Sequence, residues 1–179
     1  MSEAKRLPER VDPRRLALGG GSVAGDVALA DLRRLAEYLL VDEVPDSGRA
    51  SLFLAFDEDP QRRVRITGNL RAVLTLQCQR CLGPVSWTVD QPLRLIAVAD
   101  EEEAAGVPRE YEPVVVPAEG LDPAALAEDE LILALPLVAR CERSECDGAA
   151  EAATGSERAD NPFAALAALK GQDGGRRDE

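Results

Sequence analysis

The residues of this chain with the most chemistry to offer are its four cysteines, which come as two pairs. Cys78 and Cys81 lie in Leu74-Thr-Leu-Gln-Cys-Gln-Arg-Cys-Leu-Gly-Pro-Val85, and Cys141 and Cys146 follow much later. Thiolates two to four residues apart can share one metal ion, because a tight turn points both sulfurs to the same side, and a second pair then completes a tetrahedral site. The chain contains no histidine, so a full site takes all four cysteines. That arithmetic fits structural zinc, although the four-residue gap of the second pair is looser than the usual two-residue knuckle. Two other readings of the first pair stand beside it, a redox dithiol and a plain turn carrying two thiols. A redox pair opens a helix beside a βαβ unit, where the helix end lowers a thiol pKa. Here one strand-like run precedes the pair and another follows, which counts against redox chemistry and leaves zinc and the plain turn open.

Two charged groups are further candidates for contact with RNA or a partner. Arg63 and Arg65 share one face of a strand by alternation, Arg71 follows, and Arg80 falls at the tip beside the cysteines. They can meet phosphates, or they can be the polar face of a sheet, paired with Asp57, Glu58 and Asp59. Aromatics are 3% of the chain, too few to interleave stacking platforms with these arginines, which favours the second role. Glu128, Asp129 and Glu130 adjoin a strongly apolar run and are candidates for partner contact. As acid–base catalysts they are a poor choice, since adjacent carboxylates on a helix usually form its solvated face. With no histidine for a triad, no phosphate-binding Gly-x-x-x-x-Gly-Lys loop and no Gly-x-Gly-x-x-Gly, the expectation is no enzyme and no small-molecule substrate.

The elements that must position these residues are legible from periodicity. Leu29, Leu32, Leu35, Ala36, Leu39 and Leu40 recur at helical spacing, which predicts a helix over 29–40. From Ala50 to Ala99 the period is two, which predicts strands over Ser51–Phe56, Arg63–Thr67, Leu70–Cys78, Val85–Val89 and Leu93–Ala99, with Pro92 at a bulge or an edge. Residues 100–106 read as a solvated acidic loop, and Val114–Val116 as one more strand. Asp122 before Pro123 is a helix start, since the carboxylate caps open amides and proline suits the first helical position. That helix should run through Leu126 and Ile132 toward Leu135, with Pro136 stopping it, and a buried strand over Leu131–Val138 is the alternative. Residues 142–160 read as flexible, and Asn161-Pro162 as the start of a short helix with Phe163, Leu166, Ala167 and Lys170 on one face. Residues 172–179 read as disordered.

The expected fold is therefore α+β: an antiparallel sheet, open or curled toward a barrel, with a few packed helices and a flexible C-terminal segment. Residues 1–28 are expected to form an N-terminal segment, 29–140 a single domain, and 141–179 a flexible acidic segment with a short helix. No segment approaches the roughly 20 apolar residues that span a bilayer, and residues 1–15 lack the apolar core of a signal peptide. A cytoplasmic protein without a membrane role is expected, its cysteines kept as thiols or metal ligands.

Charge is divided unevenly. Residues 1–99 hold 14 Lys and Arg against 13 Asp and Glu, a sum of +1, and residues 100–179 hold 7 against 20, a sum of −13. A chain this acidic is poorly suited to coating a phosphate backbone; a basic protein is its natural complement, and the alternative reading is that the acidity serves solubility alone.

Three separated blocks resemble the YceD family of large ribosomal RNA subunit accumulation proteins. They are Leu76-Gln-Cys-Gln-Arg-Cys81, Glu128-Asp-Glu-Leu-Ile-Leu-Ala-Leu-Pro136 and Asn161-Pro-Phe-Ala-Ala-Leu-Ala-Ala-Leu-Lys170. The resemblance runs from about Leu29 to Lys170. It implies a cytoplasmic, non-catalytic factor for synthesis, processing or stability of the large-subunit ribosomal RNA, and it carries over no active-site residues. Cys78 and Cys81 match the family's Cys-x-x-Cys block, and Cys141 and Cys146 fall where many members have a second cysteine cluster, with wider spacing here. The expected partners are a basic ribosomal protein or assembly factor and, on the alternative reading in which the Arg-bearing sheet binds directly, the large-subunit RNA.

Overall fold

Alternating apolar residues between Ala50 and Val98 build the centre of the fold, a five-stranded sheet whose spatial order follows the sequence. The computed structural model describes residues 6–40, 48–142 and 146. The chain divides into two compact units, 1–141 and 142–179, and every element named below belongs to the first. The strands are β1 (Ser22–Ala28), β2 (Arg49–Glu58), β3 (Val64–Gln77), β4 (Pro84–Val98) and β5 (Glu112–Val115). Neighbours pair antiparallel except β5, which runs parallel to β4. β1 and β5 are opposite edges, so the sheet stays open and does not close into a barrel.

One face of the sheet is apolar. Leu52, Leu54 and Phe56 of β2, Ile66, Leu70 and Leu74 of β3, and Leu93 and Leu95 of β4 are buried there, against Leu29, Leu32, Leu35, Leu126 and Leu131. The helices are α1 (Pro13–Leu18), α2 (Arg33–Ala36), α3 (Glu101–Ala104) and α4 (Pro123–Leu133). Asp122 caps α4 as its sequence implies, accepting from the amides of Ala124 and Ala125. Leu131 to Leu133 are helical, which settles that segment against a strand.

Several expectations are corrected. The predicted helix over 29–40 is broken into a 3₁₀ turn (Leu29–Asp31) and the four-residue α2, with Leu32 in a non-helical conformation between them. Its leucine stripe is buried all the same, because the two short turns aim Leu29, Leu32, Leu35 and Leu39 at the same core. The acidic loop contains α3, where Asp100 accepts from the Glu103 amide and the Glu103 carboxylate accepts from the Ala99 amide, a variant of the capping box. α1 and β1 fall in residues 6–28, where alternation showed neither, and β1 is a full member of the sheet. The pairs of short strands predicted over 63–78 and 85–99 are single long strands, and Pro92 pairs with Asn69 in unbroken register, so it marks an edge position and no bulge. The predicted flexible segment, the helix over 161–170 and the tail lie outside the described residues, apart from Glu142 and Cys146.

Gly68 lets β2 and β3 approach. A Cβ there would fall 2.1 Å from the Phe53 carbonyl oxygen, a contact only strand separation relieves. Gly68→Ala is expected to destabilise the protein by about 2 kcal/mol, read as a lower urea midpoint with an unchanged slope.

Candidate metal centre

β3 and β4 extend past their neighbours. β2 accompanies β3 only as far as Ala72, and β5 meets β4 only from Leu95 to Val98, so the far half of the β3–β4 hairpin projects from the sheet. Its turn, 78–83, is drawn tight by the Cys78 amide donating to the Gly83 carbonyl and the Leu82 amide donating to the Cys78 carbonyl, each 2.9 Å. Leu82 is left-handed, φ 59°, a conformation more often given to glycine. This curl turns the amides of Cys81 and Arg80 toward the Cys78 sulfur.

The chain leaving α4 returns to this tip. The Gln79 amide donates to the Ala139 carbonyl at 2.9 Å, which brings Cys141 alongside. The Cys141 amide donates to the Cys78 sulfur at 3.4 Å, and the sulfurs of Cys81 and Cys141 lie 3.6 Å apart. The thiol sulfurs of Cys78, Cys81 and Cys141 all lie within 4.8 Å of one another. Tetrahedral zinc with Zn–S bonds of about 2.3 Å needs its sulfurs about 3.8 Å apart, so the set fits the ion with only a small closing movement. Amides from Cys81, Cys141 and Arg80, in that order of effect, hold the Cys78 thiol down to about 5, so it is a thiolate at neutral pH. A metal needs a ligand in that state. Were Cys146 to supply a fourth thiolate, every tetrahedral position would be filled and none left for substrate, the arrangement of a structural site.

The arginines stand elsewhere, mostly beside acids. Arg63 pairs with Asp59 at 2.7 Å, Arg65 forms a two-pronged pair with Asp57 at 2.7 and 2.8 Å, and Arg71 reaches Asp90 across the hairpin at 3.1 Å. Asp57, then the Tyr111 hydroxyl, raise the Arg65 pKa further. Arg80 alone of the four is at the cysteine tip, where its amide serves Cys78.

The three acids of α4 divide. Glu128 reaches the start of α2, accepting from the amides of Arg34 at 2.7 Å and Leu35 at 3.2 Å, and its other oxygen takes the Arg34 guanidinium. Asp129 holds a second guanidinium nitrogen at 2.6 Å and is exposed. Glu130 is 4% exposed and accepts from the Gln91 side chain at 3.3 Å. Burial, then the charges of Glu112 and Asp129, push its pKa up. A carboxyl with a raised folded pKa penalises the fold once ionised, and the penalty grows as pH rises from the ordinary carboxyl range through the folded value. Glu130→Gln is therefore expected to raise the melting temperature by a few degrees at pH 7 and to leave it unchanged near pH 4. Arg34 was missing from the candidate residues, and the unbroken leucine spacing on either side of it gave no sign of a capped helix start.

No helix among the described residues is long and apolar enough to cross a membrane. The family model described as "Large ribosomal RNA subunit accumulation protein YceD" matches residues 66–170. The chain is also 35% identical, over 172 residues, to the large ribosomal RNA subunit accumulation protein YceD of Haemophilus influenzae, covering 92% of this chain and 97% of that protein. No solved structure matches.

Proposed function

This chain belongs to the YceD family of large ribosomal RNA subunit accumulation proteins, and from that membership we propose that it is a non-catalytic cytoplasmic factor for accumulation of the large-subunit ribosomal RNA. It acts through a protein partner, a basic ribosomal protein or assembly factor, and not by chemistry of its own. The observation that carries the choice of partner is charge: residues 100–179 sum to −13, and Asp129 and the α3 acids Glu101, Glu102 and Glu103 are exposed. Cys78, Cys81, Cys141 and Cys146 hold one structural zinc ion, which fastens the hairpin tip to the chain leaving α4. Direct RNA binding by the sheet is the weaker reading, because Arg63, Arg65 and Arg71 already have carboxylate partners, and an RNA phosphate would have to displace them.

The test compares the chain with a variant in which Glu101, Glu102, Glu103 and Asp129 are glutamine. Each is titrated with protein extracted from large ribosomal subunits and, separately, with naked large-subunit RNA. Binding to the protein fraction that weakens in the variant is the expected result. Steep, salt-sensitive binding to naked RNA, lost when Arg65 and Arg71 become alanine, would instead establish the sheet as an RNA surface. In cells lacking the chain, the ratio of large- to small-subunit RNA should fall and recover with the unaltered gene; an unchanged ratio would refute the accumulation role.

A further inference from the structure

Strand β4 has an outer edge that β5 covers only in part. The Val98 carbonyl accepts from the Val116 amide on the β5 side, so the even-numbered residues of β4 turn their backbone groups away from β3. Before Leu95, where β5 begins to pair, those groups belong to Ser86, Thr88, Asp90, Pro92 and Arg94. Arg94 already gives its carbonyl to the Glu112 amide where β5 begins to pair, but among the described residues Ser86, Thr88, Asp90 and Pro92 join no backbone hydrogen bond outside β3. An edge is usually blunted by lysine, proline, a bulge or a covering element, and past Ser86 the first such device is Pro92. Over Ser86 to Asp90 the sequence is Ser-Trp-Thr-Val-Asp, in unbroken register, and Pro92 is the first residue without an amide to offer.

The surroundings of the edge describe its occupant. On the helix-covered side Trp87 is 38% exposed, its indole donating to the Ala134 carbonyl, and the neighbouring Leu133 is 72% exposed. At the Arg94 end, Glu130 lines a cavity of about 200 Å³ together with Glu110 and Glu112. This end has three acids against Arg94 and Arg109, Asp129 beyond them being held by Arg34. We propose that the outer edge of β4 from Ser86 to Pro92 accepts an extended, basic segment of a protein partner as a sixth strand. An apolar side chain of that segment lies over Trp87 and Leu133, and a lysine or arginine reaches the exposed Glu110 and Glu112. Seven residues of strand, about 24 Å, give backbone bonding its length, and alternate side chains give the selectivity. A second copy is a poor occupant at a net charge of −12, and residues 142–179 hold nine acids against five bases. The proposal rests on the reading that this factor works through a protein partner.

Residue-resolved amide exchange on the full chain tests it, with protein extracted from large ribosomal subunits as the probe. The amides of Ser86, Thr88 and Asp90 should exchange fast in the free chain and slow at least tenfold when the probe is added. Thr88→Pro removes one outward amide and no internal bond, and should weaken binding about tenfold with an unchanged circular dichroism spectrum. The exchange measurement needs no variant, so it decides the matter even where Thr88→Pro fails to fold. Amides protected already in the free monomer would show the edge covered by the chain itself, and protection that grows with chain concentration would show a second copy; either overturns the proposal. Binding of the probe with these amides still fast would overturn the edge and leave the protein-partner reading standing. No binding at all would remove both.

Discussion

Purified without chelator, the chain is expected to carry one zinc ion, and replacing Cys141 by serine is expected to release it. The expectation follows from a thiol set that already has sulfurs 3.6 Å apart and a Cys78 held as thiolate by three amides. Zinc bound to the folded state alone stabilises it by RT ln(1 + [Zn]/Kd), about 4 kcal/mol when free zinc is a thousand times Kd. For a unit of this size that is on the order of 10 °C in melting temperature. The loss should be local. The sheet has a leucine core of its own, so far-UV circular dichroism is expected to change little on chelation, while amides 78–83 and 136–141 lose protection. Native mass spectrometry with metal analysis reads the stoichiometry directly. An apo-protein whose four thiols react with iodoacetamide at the rate of free cysteine would make the tip a simple turn.

The second large effect is expected at Glu128. Its carboxylate serves two backbone amides and one guanidinium while 11% exposed, so alanine leaves the Leu35 amide buried without an acceptor and Arg34 with Asp129 alone. The cost is expected to be about 3 kcal/mol, somewhat below that of a fully buried pair because Arg34 is half-exposed. Burial opposes ionisation of Glu128, but the Arg34 guanidinium and the amides of Leu35 and Arg34 outweigh it and hold its pKa below the usual carboxyl value. A lowered folded pKa gives stability that is complete above the unfolded value and is lost as pH falls through the folded one. The difference in urea midpoint between the unaltered chain and Glu128→Ala should therefore be largest at neutral pH and shrink as pH drops below about 4.5. A constant difference down to pH 3 would mean that packing, not charge, holds α2.

What the sequence disclosed followed how local each signal is. Alternation over residues 50–99 revealed the strands because each residue reports its own face, and Asp122-Pro123 revealed α4 because capping is a contact of neighbours. Asp12-Pro13 is the same dipeptide and caps α1 in the same way, but six residues without an apolar stripe gave it nothing to confirm. β1 was hidden because its apolar residues, Val23, Ala24, Val27 and Ala28, are small and keep no strict alternation around Gly25 and Asp26, its pairing imposed by β2. The helix over 29–40 is broken beside a contact 94 residues away in sequence, where Glu128 caps the first turn of α2 at the Arg34 and Leu35 amides from outside the segment. Among the candidate acids, Glu128 and Glu130 are turned inward, which a helix face so uniformly apolar did not reveal. The meeting of Cys81 with Cys141 was anticipated by residue type alone; the tie that brings it about, Gln79 to Ala139, has no sequence signature.

The contact between Cys81 and Cys141 spans 60 residues and encloses β4, β5 and α4. A contact so distant in sequence is late in time: the hairpin tip emerges from synthesis and pairs within itself well before its ligand partners exist. Until then Cys78 and Cys81 are half a site, able to hold a metal only weakly. On the zinc reading, loading waits for the segment beyond α4, and each loaded ion marks a chain whose synthesis has passed Cys141.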